Sequence, residues 1–409
     1  MRIPLSRPDI TEREIEGVTA VLRSGQLSLG PRLAEFEEKL AAFTGARYAV
    51  ACNSGTSALH LAVGALGIGA GDEVITSSFS FVASANCLLY ERAVPIFADI
   101  DPRTLNLDAA HVREIIERDY SWSAYRRQIV NRNTGGTLKA ILPVHVFGQP
   151  GEMKSLLSIA REFHLAMLED ACEALGAEYD GRPVGTFGDA GVFAFYPNKQ
   201  ITTAEGGALV TDDPEIARLC RSLRNQGRDD DSAWLRHIHL GFNYRLSELH
   251  CALGIAQLER ASEILASRAR MAAEYNRRLA GIPGLQLPAD PAGSRRSWFV
   301  YAVRLQNHSA DNTRDYLLAR LRERGIGCAA YFPAIHEQPY FGQHCPPPRY
   351  ALPHTEDAAR ECLALPFFSS MTIEQVEEVS SAVRAILAER QSSPREERAL
   401  ARAAASGTL

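Results

Sequence analysis

The chain has 409 residues, 46% of them hydrophobic and 23% charged, which is enough for a large core and two domains. Its formal net charge of −5 excludes a general nucleic-acid binder, which would carry a basic excess. No apolar run approaches the roughly 20 residues that span a bilayer, so no membrane partner is expected. Met1–Pro8 lacks the apolar core of a signal peptide. The eight cysteines are scattered and form no CxxC pair. The expectation is a reduced, cytoplasmic protein with no metal site, and His237–His239 is a loop pair without a partner pattern.

In chain order, residues 11–24 and 31–43 carry apolar positions at helical spacing. Tyr48–Cys52 reads as a strand that runs into Asn53-Ser-Gly-Thr-Ser57 and then a helix over 58–66. Free N–H groups at such a turn suit an anion, although Asn53 or Ser54 could simply cap the helix. Strands are expected at 73–76, 94–98, 138–147 and 165–168, alternating with helices at 81–91, 108–118 and 153–163. Residues 119–136 read as a polar, aromatic surface excursion. This alternation predicts an α/β fold, with a mostly parallel sheet covered on both faces and ligands at the carboxyl ends of its strands. Asp170 and the Asn53–Ser57 turn lie at such ends.

A further strand over 192–196 is stopped by Pro197, and Lys199 comes next in a tight turn before strand 208–210. A lysine with a dry stem has a lowered pKa and suits covalent chemistry with a carbonyl, while a surface lysine on a loop is the plain alternative. After a helix over 214–223, residues 225–239 form a polar loop with Asp229, Asp230 and Asp231 together. One long helical region is predicted from Arg245 to about Leu279, with a break near Ser262 or Ser267, linking two domains. Strands at 299–305 and 326–331 and helices at 313–324 and 373–389 predict a smaller α+β domain. The expected division is 1–265 for the large domain, 266–390 for the small one, and 391–409 for a disordered tail.

Seven ordered motifs carry a resemblance. They are Leu27-Ser-Leu-Gly-Pro31, Asn53-Ser-Gly-Thr-Ser57, Gly71-Asp-Glu-Val-Ile75, Val144-His-Val-Phe-Gly-Gln-Pro150, Glu169-Asp-Ala-Cys-Glu173, the stretch around Lys199, and Gly241-Phe-Asn-Tyr-Arg245. Together they resemble the DegT/StrS-type sugar aminotransferases, which use pyridoxal 5'-phosphate (PLP) and have the fold-type-I aminotransferase architecture. The resemblance runs from about residue 3 to about residue 390.

The resemblance implies a role for each of several residues. Lys199 matches the family's Schiff-base lysine, which also moves the proton between the donor's α-carbon and the cofactor. Asp170 matches the acid that keeps the pyridine nitrogen protonated, with a helix N-cap as the alternative. Phe81 matches the aromatic that stacks on the ring, and a core position is its alternative. Glu173 matches a residue near the ring hydroxyl, with surface exposure as its alternative. Gly55, Thr56 and Ser57 match the phosphate cradle. Asn243 resembles a residue that reaches the phosphate from the neighbouring subunit of a homodimer, or it caps the helix expected from Arg245. Ala194 departs from the pattern, because many relatives have a serine five residues before the lysine. The implied activity is transfer of an amino group from an amino acid, L-glutamate in most of the family, to a nucleotide-linked 4-keto-6-deoxy sugar. Ile201-Thr-Thr-Ala-Glu-Gly-Gly207 looks like a form frequent in 4-aminotransferases, with Ala204 in place of a glycine. Carbon-3 or keto-cyclitol transfer, or a non-catalytic PLP-binding regulator, remain alternatives.

Overall fold

The computed structural model describes residues 2–228, 236–306 and 313–392. The expected 391–409 tail lies outside these, apart from the residues that end the last helix, and Asp229–Asp231 lie outside them too.

Seven strands form the main path of the nine-stranded main sheet: β1 (Tyr48–Cys52), β2 (Asp72–Ser77), β3 (Val94–Ala98), β4 (Thr137–Leu142), β5 (Ala166–Asp170), β6 (Ala190–Ala194) and β7 (Gly207–Thr211). Their order across the sheet is β1-β7-β6-β5-β4-β2-β3. All neighbours run parallel except β7, which is antiparallel to both β1 and β6. Most strand residues are buried on both faces, which explains their continuous apolar runs. Because β1, β5 and β6 share one direction, their carboxyl ends meet at one edge. Cys52, Asp170 and Ala194 end those strands, and Gly207 begins β7 beside them.

Helices cover the sheet. They include α1 (Glu12–Ser24), α2 (Pro31–Thr44), α3 (Gly55–Ala65) and α4 (Ala83–Tyr90). α2 begins with Pro31 in its first turn and stops at Gly45, whose φ of 78° favours a residue without a Cβ. Its inner face places Leu33, Phe36 and Leu40 in the core.

Four expectations are corrected. The strand expected over 138–147 ends at Leu142, because Pro143 has no N–H to continue the ladder. The chain still touches β5 through a Val144–Asp170 bridge and then turns tightly at Val146–Gly148. The excursion 119–136 is instead an ordered hairpin, with Tyr120–Ser123 paired to Gln128–Asn131. Glu73 holds it from below, accepting hydrogen bonds from Tyr120, Asn131 and Thr134.

The long helix from Arg245 is two helices, Glu248–Glu259 and Ala261–Leu279. The first is capped by Ser247, which accepts from the His250 N–H, so Asn243 caps nothing. The break falls at Arg260, whose guanidinium turns back to Glu14 at 3.0 Å. Lastly, the strand over 326–331 shrinks to Ala329–Ala330 at a sheet edge, paired on one side only.

The smaller sheet has the order Leu285–Gln286, Tyr301–Leu305, Cys362–Leu365, Ala329–Ala330, all antiparallel. Its central strand Cys362–Leu365 and the preceding helix Pro353–Glu361 are not among the elements expected from the sequence. Helix Ala261–Leu279 crosses between two cores. Ala261 and Ile264 pack in the core of the main sheet, while Met271, Tyr275 and Leu279 pack under the small sheet. The expected 265/266 division falls inside this helix.

Candidate active site

At the carboxyl edge of the main sheet lies a cavity of about 460 Å³. Gly55, Thr56, Phe81, Asp170, Glu173 and Lys199 all line it. Residues far apart in sequence meet here because parallel strands deliver their ends to one place.

Lys199 sits in the turn after β6, where its N–H is bound by the Tyr196 carbonyl at 2.8 Å. Its side chain is only 13% exposed. The Nζ lies 3.4 Å from Glu173 Oε1 and 3.9 Å from the centre of the Phe299 ring. The plain alternative of a solvated surface lysine is therefore excluded. Arg268 Nη2 donates to the Lys199 carbonyl at 3.0 Å, and its Nη1 donates to the carbonyls of Trp298 and Phe299. One buried guanidinium thus ties the lysine turn to the segment that supplies the Phe299 ring.

Asp170 ends β5. Its Oδ2 accepts from Ser84 Oγ at 2.7 Å, and its Oδ1 accepts from the Cys172 N–H at 3.1 Å. The residues after it form a turn, so Asp170 is not a helix cap, and Asp170 and Glu173 do not share a helical face. Glu173 is buried rather than exposed. Burial pushes its pKa up, and the Lys199 ammonium works against that shift. Its Oε2 accepts from the Phe147 N–H at 2.9 Å, an N–H that the turn at Phe147 (φ 57°) aims inward.

Phe81 is 60% exposed, which rules out a core role, and its ring lines the cavity mouth. The Asn53–Ser57 turn both caps and lines. Ser54 Oγ accepts from the Ser57 N–H at 3.0 Å, while Gly55 and Thr56 face the cavity. Their N–H groups lie in the first turn of α3, where no carbonyl of the helix can take them. Ser57 itself is not part of the lining; its hydroxyl pairs with Ser54 Oγ at 2.8 Å. The close approach needs two glycines. A Cβ on Gly207 would stand 2.4 Å from Gly55 N, and one on Gly55 would stand 2.7 Å from Ala194 Cβ. Asn243 is exposed, bridges to Asn225 and lies outside the cavity.

Several lining residues were not among the sequence candidates: Ser80, Asn198 and Phe299. Asn198 comes after Pro197 beside the lysine, and its buried Oδ1 has no partner among the described residues. Tyr331 and Phe332 follow the smaller sheet's edge strand and line the cavity too, and the segment Tyr331–His336 is the one the sequence itself points toward the substrate.

The site invites comparison with known proteins. A model of the DegT/DnrJ/EryC1/StrS aminotransferase family matches residues 8–384. The chain belongs to that family. GDP-perosamine synthase of Caulobacter vibrioides is 37% identical over 394 residues, covering 94% of this chain and 98% of the relative. Spore coat polysaccharide biosynthesis protein SpsC of Bacillus subtilis is 36% identical, covering 94% and 97%. Among solved structures, S. venezuelae DesV, determined in complex with a ketimine intermediate, superposes with a TM-score of 0.83. It is 33% identical, with coverage of 94% of this chain and 98% of that one. DesI, solved in the presence of its TDP-sugar product, has a TM-score of 0.83 and 32% identity, covering 98% of this chain and 95% of that one. The family is PLP-dependent, and this chain is a sugar aminotransferase with the fold-type-I architecture.

Proposed function

We propose that this enzyme uses PLP on Lys199 to move an amino group from an amino acid, L-glutamate, to a nucleotide-linked 4-keto-6-deoxy sugar. The observation that carries this reading is the single cavity in which Lys199, Asp170, Glu173, Phe81 and the Gly55–Thr56 turn converge. The residues fit the cofactor: two glycines keep the cradle open, and a partnerless Asn198 Oδ1 is buried beside the lysine.

When bound, PLP supplies an electron sink for the donor's α-carbon. Lys199 Nζ would hold it covalently and, once displaced by the donor, carry the proton to and from that carbon. The Phe299 ring below Nζ and the Glu173 carboxylate beside it limit where this amine can move. Asp170 would keep a proton on the pyridine nitrogen, and Glu173 would lie near the ring hydroxyl. Phe81 would cover one face of the ring. Gly55 and Thr56, with Ser57 behind them, would hold the phosphate. Asn243, exposed here, would reach the phosphate of a second copy, so the working unit would be a homodimer with shared sites.

The carbon-4 assignment rests on the Thr202-Thr-Ala-Glu-Gly-Gly207 pattern and on the similarity to GDP-perosamine synthase. L-glutamate should bleach the visible band of the PLP-loaded protein. A nucleotide-linked 4-keto-6-deoxy sugar should then restore it. Wild-type turnover by Lys199→Ala would refute the role of the lysine. Recovery of the band with a 3-keto sugar alone would move the reaction to carbon 3.

A further inference from the structure

Asp170 is held from two sides. The backbone N–H of Cys172 takes Oδ1, and Ser84 takes Oδ2. Ser84 is fully buried in the first turn of α4, and its Oγ also stands 2.7 Å from Ser80 Oγ. Counting hydrogens settles the directions. An ionised carboxylate only accepts, so Ser84 must donate its single hydroxyl hydrogen to Asp170. The Phe81 carbonyl is also near, at 3.2 Å from Ser84 Oγ, but the shorter contact to a charged acceptor wins. Ser84 Oγ is then left with lone pairs, and Ser80 must donate to it.

We propose that Ser84 is a positioning residue for Asp170, and that Ser80 in turn positions Ser84. The chain Ser80–Ser84–Asp170 fixes the plane of the carboxylate at the end of β5. Its first member reaches the cavity wall, because Ser80 lines the cavity while Ser84 does not. A carboxylate tied on one oxygen by backbone alone could pivot about that bond. With the second oxygen tied, its remaining lone pairs have one direction. Burial and then the Asp170 charge keep the Cys172 thiol protonated, so it too can donate to Asp170, but an S–H is a weak donor and Ser84 supplies the stronger tie.

This inference rests on the reading that Asp170 serves the pyridine nitrogen, and the test separates the two. Wild type, Ser84→Ala, Ser84→Thr, Ser80→Ala and Asp170→Asn are each titrated with PLP. The visible band is then measured against pH in the loaded proteins. Ser84→Ala is expected to weaken PLP binding by about tenfold, the loss of one hydrogen bond to a charged group, and to move the pH midpoint of the band. Ser84→Thr should restore both, and Ser80→Ala should show a smaller change of the same kind. If Ser84→Ala matches wild type in both readouts while Asp170→Asn loses the band, the positioning role is wrong and the Asp170 reading stands. If Asp170→Asn also matches wild type, the Asp170 reading itself fails. Equal impairment of the Ala and Thr variants, with a lowered unfolding midpoint of the PLP-free protein, would reduce Ser84 to packing.

Discussion

Ala194 stands where the resemblance implies a serine, and its placement says what the missing hydroxyl costs. It ends β6 with its Cβ against the Gly55 turn and its side chain on the cavity wall. A serine hydroxyl there would reach the region assigned to the phosphate. Ala194→Ser should therefore tighten PLP binding, with a ceiling of about 1.5–3 kcal/mol for one hydrogen bond to a charged group. Absorbance titration of the variant and of wild type measures it, and equal affinities would mean that backbone N–H groups already saturate the phosphate. Ala204, a second departure, stands at φ 68°, where a glycine would rest without strain. The motif's usual glycine thus has a backbone reason.

At the scale of elements, the first helix is fixed by one buried carboxylate. Glu14 sits in the first turn of α1 and accepts from the Thr11 hydroxyl and N–H, from Gln257 Nε2 and from Arg260 Nη1. Burial by itself would raise its pKa, but these hydrogen bonds outweigh it and hold the group at about 2. A folded-state value below the unfolded one contributes stability above the unfolded pKa and loses it as pH falls through the folded one. Glu14 should thus stabilise the fold fully above about pH 5 and lose its contribution between there and about pH 2. Denaturant unfolding at stepped pH should show a steeper acid loss for wild type than for Glu14→Gln; parallel profiles would refute it. The same carboxylate holds Arg260, where the long helical region breaks, so the break and the docking of α1 are one event.

For the whole molecule, the tie between its two cores passes through Arg268. This guanidinium is buried on helix Ala261–Leu279, and burial lowers its pKa to about 10, so it remains a cation at neutral pH. It donates to the carbonyls of Lys199, Trp298 and Phe299. Arg268→Met would leave those acceptors without donors, at a cost of about 1–3 kcal/mol for each one that water does not reach. The unfolding midpoint should fall well below that of wild type, and the visible band of the PLP-loaded protein should change as the lysine turn loosens. An unchanged midpoint would show that the tie carries no stability.

The sequence by itself determined the family, the parallel core and the places of Lys199 and Asp170 beside strand ends. Strand-ending positions and ordered motifs are local features, written in consecutive residues. It did not reveal Ser84, Phe299 or Arg268, nor that Glu173 is buried off any helix. Those roles depend on contacts between segments far apart in the chain, and neither periodicity nor turn chemistry encodes such contacts. Hydroxyls, aromatic rings and arginines are common everywhere, so only their placement marks them. The hairpin at 120–131 is illegible in the sequence for a related reason. Its order comes from Glu73, a buried carboxylate on β2 that gathers Tyr120, Asn131 and Thr134. Only the tertiary structure decided which polar residues would find partners in the interior. A buried polar group is stable only where its partners arrive, and their arrival is set by the packing of the sheet and not by the sequence around the group.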